Sequence, residues 1–179
     1  MENFTKIAIQ DRFMKLLSVM PIDKITVVKV VEACEMNRNT FYYHFKDIND
    51  LLDTALHDLC ASSLDKAEKS PAQPCALAAA MGTLAASGPA LRNLYKSEKS
   101  GVLLGHLERM VRTAVEHALE AREKGRSKTP EGVECIDFCK VMFSGLVLDW
   151  LFNDMSYDLA EFVTRAWNQF GPDAMRAAR

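Results

Sequence analysis

Apolar residues recur along this chain three and four positions apart over almost its whole length. This spacing places apolar side chains on one face of an α-helix, so it predicts helices throughout. The β-branched run at 25–28 is also compatible with a strand, but no partner strand is visible elsewhere in the sequence. We therefore expect an all-α fold of about nine helices. They are predicted at 3–19, 27–34, 38–44, 47–69, 75–87, 89–97, 101–124, 130–152 and 156–169.

The breaks between these helices indicate the domain organisation. Pro21 ends the first helix, because proline cannot continue an α-helix from its interior. The clearest linker is the proline-containing stretch at 70–74. The helix before this linker is too long to be covered by the N-terminal helices alone, so the linker is not a domain boundary. We expect a three-helix N-terminal module over residues 1–46 and a larger helical domain over residues 47–179.

Composition limits the classes of function. The chain has 179 residues, 49% of them hydrophobic, and a formal net charge of −2, so any nucleic-acid site must be a local patch. Residues 1–46 carry seven basic and five acidic side chains, whereas the remainder carries 15 and 19. The odd number of five cysteines, without a CxxC pair, and the absence of a signal peptide or membrane span predict a cytoplasmic protein without a membrane partner. There is no Gly-x-Ser-x-Gly motif and no phosphate-cradling loop, so we expect no enzymatic activity, cofactor or metal.

The segment at 26–46 contains the most informative chemistry. Two short predicted helices lie about three residues apart, which is the spacing of a helix-turn-helix. At about 100° per residue, Arg38, Asn39 and Tyr42 fall on one arc of the second helix. Phe41 and Phe45 fall together on the adjoining side and are expected to anchor the helix.

This arc suits a recognition helix in the major groove of DNA. Arginine pairs with guanine, asparagine pairs with adenine, and hydroxyl, imidazole and ammonium groups bind phosphates. Thr26, the expected N-cap of the preceding helix, can offer its hydroxyl and nearby N–H groups to another phosphate. The expected DNA-contacting residues are Thr26, Asn37, Arg38, Asn39, Thr40, Tyr42, Tyr43, His44 and Lys46.

The same segment resembles the helix-turn-helix of TetR-family regulators, which are all-helical dimeric DNA-binding proteins. The family pattern has threonine, apolar residues, alanine, a turn, an Arg-x-Thr-Phe-Tyr-Tyr-His-Phe-Lys run and then an acidic-Leu-Leu helix. The Phe-Lys-Asp-Ile-x-Asp-Leu-Leu stretch also suggests the subgroup related to dihydroxyacetone-kinase regulators. The matching positions are Thr26, Ala33, Arg38, Thr40, Phe41, Tyr42, Tyr43, His44, Phe45, Lys46, Asp50, Leu51 and Leu52.

Two positions depart from the family pattern. Glu35 stands where the family usually has glycine in the turn, and a positive φ there would cost roughly 1 kcal/mol. Ile48 stands where the family often has a lysine that meets a phosphate. The presence of Ile48 in place of this lysine implies weaker anchoring on the DNA backbone, or compensation by Lys46.

The resemblance implies that residues 47–179 bind a ligand and form the dimer. The last two predicted helices also have more apolar surface than one face can hide inside a small domain. The expected dimer interface comprises Leu146, Trp150, Phe162, Trp167 and Phe170. A pocket for a small apolar ligand is expected to be lined by Met81, Leu84, Tyr95, Leu104, Leu107, Met110, Phe138, Met142 and Phe143.

The sequence therefore predicts a ligand-responsive repressor that acts as a homodimer on a pseudo-palindromic double-stranded DNA operator. An alternative is a TetR-like protein that lacks DNA binding and acts through protein partners, and a small helical enzyme or carrier is less well supported. For His44, a local hydrogen bond is the alternative to a phosphate contact. Cys135 and Cys139, four positions apart on one helix, are interpreted as core residues rather than a thiol sensor or metal pair.

Overall fold

A computed structural model of the chain describes residues 2–68 and 76–177. Over these residues the fold consists of nine α-helices and two single 3-10 turns, at Ile22–Lys24 and Arg126–Lys128, with no strand. The predicted all-α class and the rejection of a strand at 25–28 are confirmed. The helices are α1 Glu2–Val19, α2 Val27–Ala33, α3 Arg38–His44, α4 Ile48–Glu68, α5 Ala76–Ala85, α6 Gly88–Tyr95, α7 Ser100–Arg122, α8 Pro130–Phe152 and α9 Leu159–Ala177.

The chain forms two compact units. The first comprises Met1–Leu59 and Ser87–Leu103, and the second comprises Cys60–Ala86 and Leu104–Arg179. The predicted helix-turn-helix lies within the first unit. The predicted boundary after residue 46 divides the expected DNA-binding part from the expected ligand-binding and dimerisation part, and it stays a prediction. The predicted linker at 70–74 lies outside the described residues.

The first unit is built around α1, which packs against α2 and α6. Two polar contacts fix α1 from the side: the Asn93 amide donates to the Leu17 carbonyl at 2.8 Å, and the Gln10 amide donates to the Asp58 carboxylate at 2.8 Å. A buried Leu, Ile or Phe side chain contributes about 1.5–3 kcal/mol to folding. The largest buried side chains of this unit are Ile9, Phe13, Leu17, Ile22, Phe41, Leu51, Leu52, Leu56, Leu91 and Leu94.

In the second unit α5 packs against α9. The contact is close because small residues meet there: a Cβ added at Gly82 would lie 3.2 Å from the Ala160 Cβ. The core of this unit takes side chains from α5, α7, α8 and α9. Its buried hydrophobic residues include Met81, Leu84, Leu107, Met110, Val111, Ile136, Phe143, Val147, Trp150, Leu151, Leu159 and Val163.

Local capping sets where several helices begin. Thr129 accepts a hydrogen bond from the Gly132 N–H at 3.1 Å and Pro130 occupies the first turn, so α8 begins where the sequence predicts. The last helix begins at Leu159 rather than at 156, because the Asp158 carboxylate caps it by accepting from the Glu161 N–H at 2.8 Å.

The described helices and side chains bear on membrane and metal partners. Across 2–68 and 76–177, no helix combines the length and apolar character needed to cross a bilayer. The same residues contain no group of three or more His, Cys, Asp or Glu side chains arranged to hold a metal. The side chains of Cys135 and Cys139 are both half-buried.

Candidate nucleic-acid interface

The helix-turn-helix begins at a capped and braced threonine. The Thr26 hydroxyl oxygen accepts a hydrogen bond from the Lys29 N–H at 3.4 Å, which confirms the predicted N-cap of α2. The Lys29 ammonium reaches back and donates to the Lys24 carbonyl at 2.9 Å. These contacts fix the approach of the chain to α2 and leave Thr26 exposed.

The turn between α2 and α3 is closed by backbone hydrogen bonds. Glu35 has φ 54°, in the left-handed region. The Met36 N–H donates to the Val31 carbonyl at 2.9 Å and the Glu35 N–H donates to the Glu32 carbonyl at 3.1 Å. This pair of bonds is the Schellman motif, which usually has glycine at the left-handed position. The position where the family usually has glycine therefore does have a positive φ in this chain.

Asparagine begins the recognition helix. The Asn37 side-chain oxygen accepts from the Thr40 N–H at 2.9 Å and from the Thr40 hydroxyl at 3.1 Å. This oxygen is therefore used in capping α3. The amide NH2 of Asn37 is the part of the side chain with donors to offer to a ligand.

Two phenylalanines anchor α3 in the first unit. Phe41 and Phe45 are both buried, and their ring centroids lie 5.8 Å apart. The Lys6 ammonium lies 6.0 Å from the centroid of the Phe45 ring, within the range of a cation–π contact. The predicted anchoring by these two rings is confirmed, and it fixes which side of α3 faces outward.

The outward side of α3 has polar and aromatic groups. Arg38 and Asn39 are exposed, and Tyr42 and Tyr43 are 57% and 68% exposed although tyrosine usually buries much of its ring. Tyr43 contacts the half-buried His44 edge to face, with ring centroids 5.0 Å apart. The helix thus presents guanidinium, amide and phenol groups on one rigid surface.

A second helix start lies directly after α3. The Asp47 carboxylate accepts from the N–H groups of Asn49 at 2.7 Å and Asp50 at 2.9 Å, so Asp47 caps the start of α4. The hydrogen bond from Asp50 and that from Asn49 lower the pKa of Asp47, while desolvation opposes them. Lys46 is exposed, and its N–H donates to the Asp50 carboxylate at 2.8 Å. This hydrogen bond therefore fixes the backbone at Lys46, from which the exposed ammonium group extends.

The fold has a solved counterpart. The fatty acid degradation regulator FadR from Bacillus halodurans has a similar structure, with a TM-score of 0.59 and 15% sequence identity over 93% of each chain. A likeness at this identity shows that the two chains share an all-helical fold. No protein-family model matches the chain. No curated protein sequence matches it either.

The residues predicted to line a ligand pocket do not all lie in one environment. Most are buried or half-buried in the second unit, whereas Tyr95 is half-buried in the first unit and Phe138 points outward with 64% of its surface exposed. The Ser144 hydroxyl is buried and has no hydrogen-bond partner among the described residues. The buried members of the predicted set are Met81, Leu84, Leu107, Met110 and Phe143, and the half-buried members are Leu104 and Met142.

The residues predicted to form the dimer interface also differ in exposure. Trp150 is buried, and its indole N–H donates to the Tyr157 carbonyl at 2.9 Å, so its polar group is satisfied within the chain. Leu146 is half-buried and Phe162 is partly exposed. The side chains of Trp167 and Phe170 lie outside the described residues.

Sequence reasoning missed an outward apolar row on α8, in which Val141 and Phe152 are 68% and 70% exposed. A signal was present, because these residues fall at alternating spacings of three and four with Phe138, Gly145 and Leu148. The helix is apolar around most of its circumference, so its periodicity does not show which apolar side faces the core.

Proposed function

We propose that this protein is a transcriptional regulator of the TetR type that binds duplex DNA through α3. In this proposal residues 1–46 read the DNA, and residues 47–179 bind a ligand and dimerise. The protein acts as a repressor on a pseudo-palindromic operator, and ligand binding releases it. A dimer multiplies the limited specificity of one short recognition helix by reading two half-sites.

One observation supports the proposal most strongly. Two phenylalanine rings hold α3 from inside while Arg38, Tyr42 and Tyr43 stand exposed on its other side. A helix that served only packing would not have its aromatic side chains divided in this way. An exposed cluster of rigid phenols and a guanidinium is suited to a polyanionic, groove-shaped partner.

Each exposed group has a distinct expected role. Arg38 donates two hydrogen bonds to a guanine edge, and Asn39 pairs with an adenine edge. Tyr42 and Tyr43 donate to phosphate oxygens, and Lys46 adds a positive charge beside them. Thr26, Asn37, Thr40 and His44 are expected to give further phosphate contacts, with the Asn37 contribution coming from its amide donors. The base contacts set sequence preference, whereas the phosphate contacts set the salt dependence.

The test is selection of binding sites from random duplexes by the wild-type protein, followed by affinity measurement for Arg38→Ala and Tyr42→Ala. Loss of a bidentate arginine–guanine contact costs about 1–3 kcal/mol, so Arg38→Ala should weaken binding roughly 5- to 150-fold and relax the preference at one base position. Tyr42→Ala should weaken binding to all sequences and leave the salt slope unchanged, because a neutral phenol donates a hydrogen bond to phosphate without neutralising its charge.

Two controls separate a specific contact from changes in charge or folding. Lys15→Ala removes one exposed positive charge from α1 and should change affinity far less than Arg38→Ala. Circular dichroism should show unchanged helix content in every variant, since all three altered side chains are exposed. If the wild-type protein selects no sequence, or if the Lys15 and Arg38 variants lose equal affinity, the proposal is wrong.

For the ligand we propose a mainly apolar molecule with one polar group, bound in the second unit. The supporting observation is the buried Ser144 hydroxyl without a partner, since such groups are rare in proteins without a further role. Because FadR from Bacillus halodurans is described as a fatty acid degradation regulator, a long-chain fatty acid is the first probe. It should lower the affinity of the wild-type protein for its selected duplex. Ser144→Ala should keep duplex affinity and lose this response.

The second candidate function is action through protein partners without DNA binding. It is favoured by Ile48, which occupies the first position of α4 where the resemblance would have a phosphate-binding lysine. Duplex binding that weakens steeply with added salt would exclude it, because that dependence arises from phosphate neutralisation.

A further inference from the structure

A histidine is buried in the second unit beside an exposed arginine. His106 has only 3% of its surface exposed, whereas Arg109, about one turn later on α7, is exposed. The Arg109 guanidinium donates a hydrogen bond to His106 Nδ1 at 3.0 Å. Since a guanidinium has only donors, Nδ1 must accept this bond, and the imidazole is therefore neutral.

The neighbours of the Arg109 guanidinium are neutral groups. Besides His106, its charge acts on the buried Cys60, whose pKa burial nevertheless raises to about 12. Within the part of the chain that the structure describes, no carboxylate pairs with this guanidinium. By contrast, Arg112 on the same helix contacts two carboxylates, each at 3.5 Å. Arg109 is therefore a cation that no described acidic group neutralises.

The Arg109 side chain is held in one direction. A Cβ added at Gly105 would lie 3.8 Å from Arg109 Nη1, so the side chain folds back along α7 over a position that has no side chain of its own. Its Nη2 is held by His106. The remaining N–H groups of the planar guanidinium are suited to an acceptor with two parallel oxygens. A side chain fixed beforehand also loses less conformational entropy when it binds a ligand.

A second buried polar group lies at the same level of the second unit. The short connection between α7 and α8 makes them antiparallel neighbours, and the Arg112–Asp137 ion pair at 3.5 Å sets their register. Counted from this ion pair, His106 lies six residues back along α7 and Ser144 lies seven residues further along α8. At roughly 1.5 Å per residue, these two displacements are nearly equal. The Ser144 hydroxyl, which is unpartnered among the described residues, therefore lies in the same layer of the core as His106.

These surroundings suit an amphipathic ligand with one negative charge. Arg109 lies at the surface, whereas Leu107 and Met110 on the same helix are buried in the apolar core. A ligand that extends from Arg109 inward past His106 would pass from a charged to an apolar environment. One guanidinium beside a neutral imidazole balances a monoanion, whereas a phosphate monoester carries about −1.5 to −2 at neutral pH. A planar carboxylate also matches the two parallel donors of a guanidinium.

From these observations we propose that Arg109, held in place by His106, binds the carboxylate of an amphipathic monocarboxylic acid whose apolar part enters the core of the second unit. The inference rests on the proposed response to a ligand and identifies both the charged group of that ligand and the side chain that binds it. Neither Arg109 nor His106 belongs to the pocket that the sequence predicts, which consists of apolar and aromatic residues.

Calorimetry with probes that differ only in their head group tests the charge of the ligand. Dodecanoate and hexadecanoate are titrated into the full chain below their micelle concentrations, in parallel with dodecanol and hexadecanol. The protein should bind at least one acid about tenfold more tightly than the alcohol of the same length, because hydrogen bonds between charged groups are the stronger ones. Dodecyl phosphate should bind less tightly than dodecanoate, because the site supplies only one positive charge.

Variants of two arginines test the proposed contact. Arg109→Gln removes the charge and keeps an amide donor, so it should weaken acid binding roughly 10- to 100-fold and leave alcohol binding unchanged. Arg109→Lys should recover part of the loss. Arg112→Gln is the matched control, because it removes an equal charge from α7 at a side chain that already has carboxylate partners, and it should change acid binding by less than about twofold. Circular dichroism should show unchanged helix content, since both arginines are exposed.

Three results would each overturn the inference and leave an apolar ligand in the second unit possible: equal affinity for acid and alcohol, tighter binding of dodecyl phosphate than of dodecanoate, or equal losses in Arg109→Gln and Arg112→Gln. If neither acids nor alcohols bind, the inference and the proposed ligand are both wrong. The DNA-binding proposal is tested separately, because site selection and the Arg38 and Tyr42 variants are measured without a ligand.

Discussion

Glu35 is a position where the backbone conformation and the residue type disagree. Its φ of 54° lies in the left-handed region, and the turn bonds on either side hold it there. Glycine adopts this conformation without a Cβ clash, so Glu35→Gly should relieve about 1–2 kcal/mol of strain. Glycine also raises the conformational entropy of the unfolded chain, which lowers the free energy of unfolding by about 0.4–1 kcal/mol. Because the Glu35 side chain is exposed, little packing is lost, and we expect a net gain of about 0.5–1 kcal/mol in the free energy of unfolding.

The assay is urea unfolding followed by circular dichroism at 222 nm, at one fixed protein concentration because the proposed dimerisation would couple stability to concentration. Two variants isolate the cause. Glu35→Ala keeps the Cβ and removes the charge, so it should change stability by less than about 0.5 kcal/mol. Glu35→Asn should fall between alanine and glycine, because asparagine tolerates the left-handed region better than most residues.

A glycine variant less stable than the wild-type protein would contradict backbone strain at Glu35. An alanine variant that gained as much stability as the glycine variant would also contradict it, since the effect would then come from the glutamate charge. Equal stability of all three variants would mean that the turn relaxes to a negative φ in solution.

Three further predictions follow from local geometry. Gly132→Ala should destabilise the protein by about 1–3 kcal/mol or more, because a Cβ at this position would lie 2.0 Å from the Arg126 carbonyl oxygen. Gly101→Ala is the matched control, because a Cβ at position 101 would meet no atom within 4 Å, and this variant should be neutral or stabilising. Thermal unfolding measures both variants. The capping bonds that lower the pKa of Asp47 should stabilise the wild-type protein over Asp47→Asn above pH 3.8. This difference in urea midpoint should disappear as the pH falls through the lower pKa of the folded state, and a difference that persisted in acid would contradict it. Burial raises the pKa of the Cys60 thiol to about 12, so Cys60 should resist a disulfide reagent at pH 8 until urea unfolds the protein.

Much of the fold could be predicted because helical periodicity and capping are local properties. Proline at position 21, threonine at 26, asparagine at 37 and aspartate at 47 mark helix ends by chemistry that acts within four residues. The division of α3 into an inner side with Phe41 and an outer side was predictable for the same reason, since a short helix has only one way to bury two rings a turn apart.

The exposure of α8 could not be predicted from the sequence. Trp150 and Phe152 are two residues apart and both strongly apolar, yet the tertiary structure buries the first and exposes the second. The sequence predicts Phe138 in a ligand pocket, whereas in the structure its side chain is 64% exposed. When a helix has apolar residues on opposite sides, its sequence does not distinguish the side that is buried from the side that is exposed. Which side enters the core depends on helices distant in the chain, and that choice is made by packing.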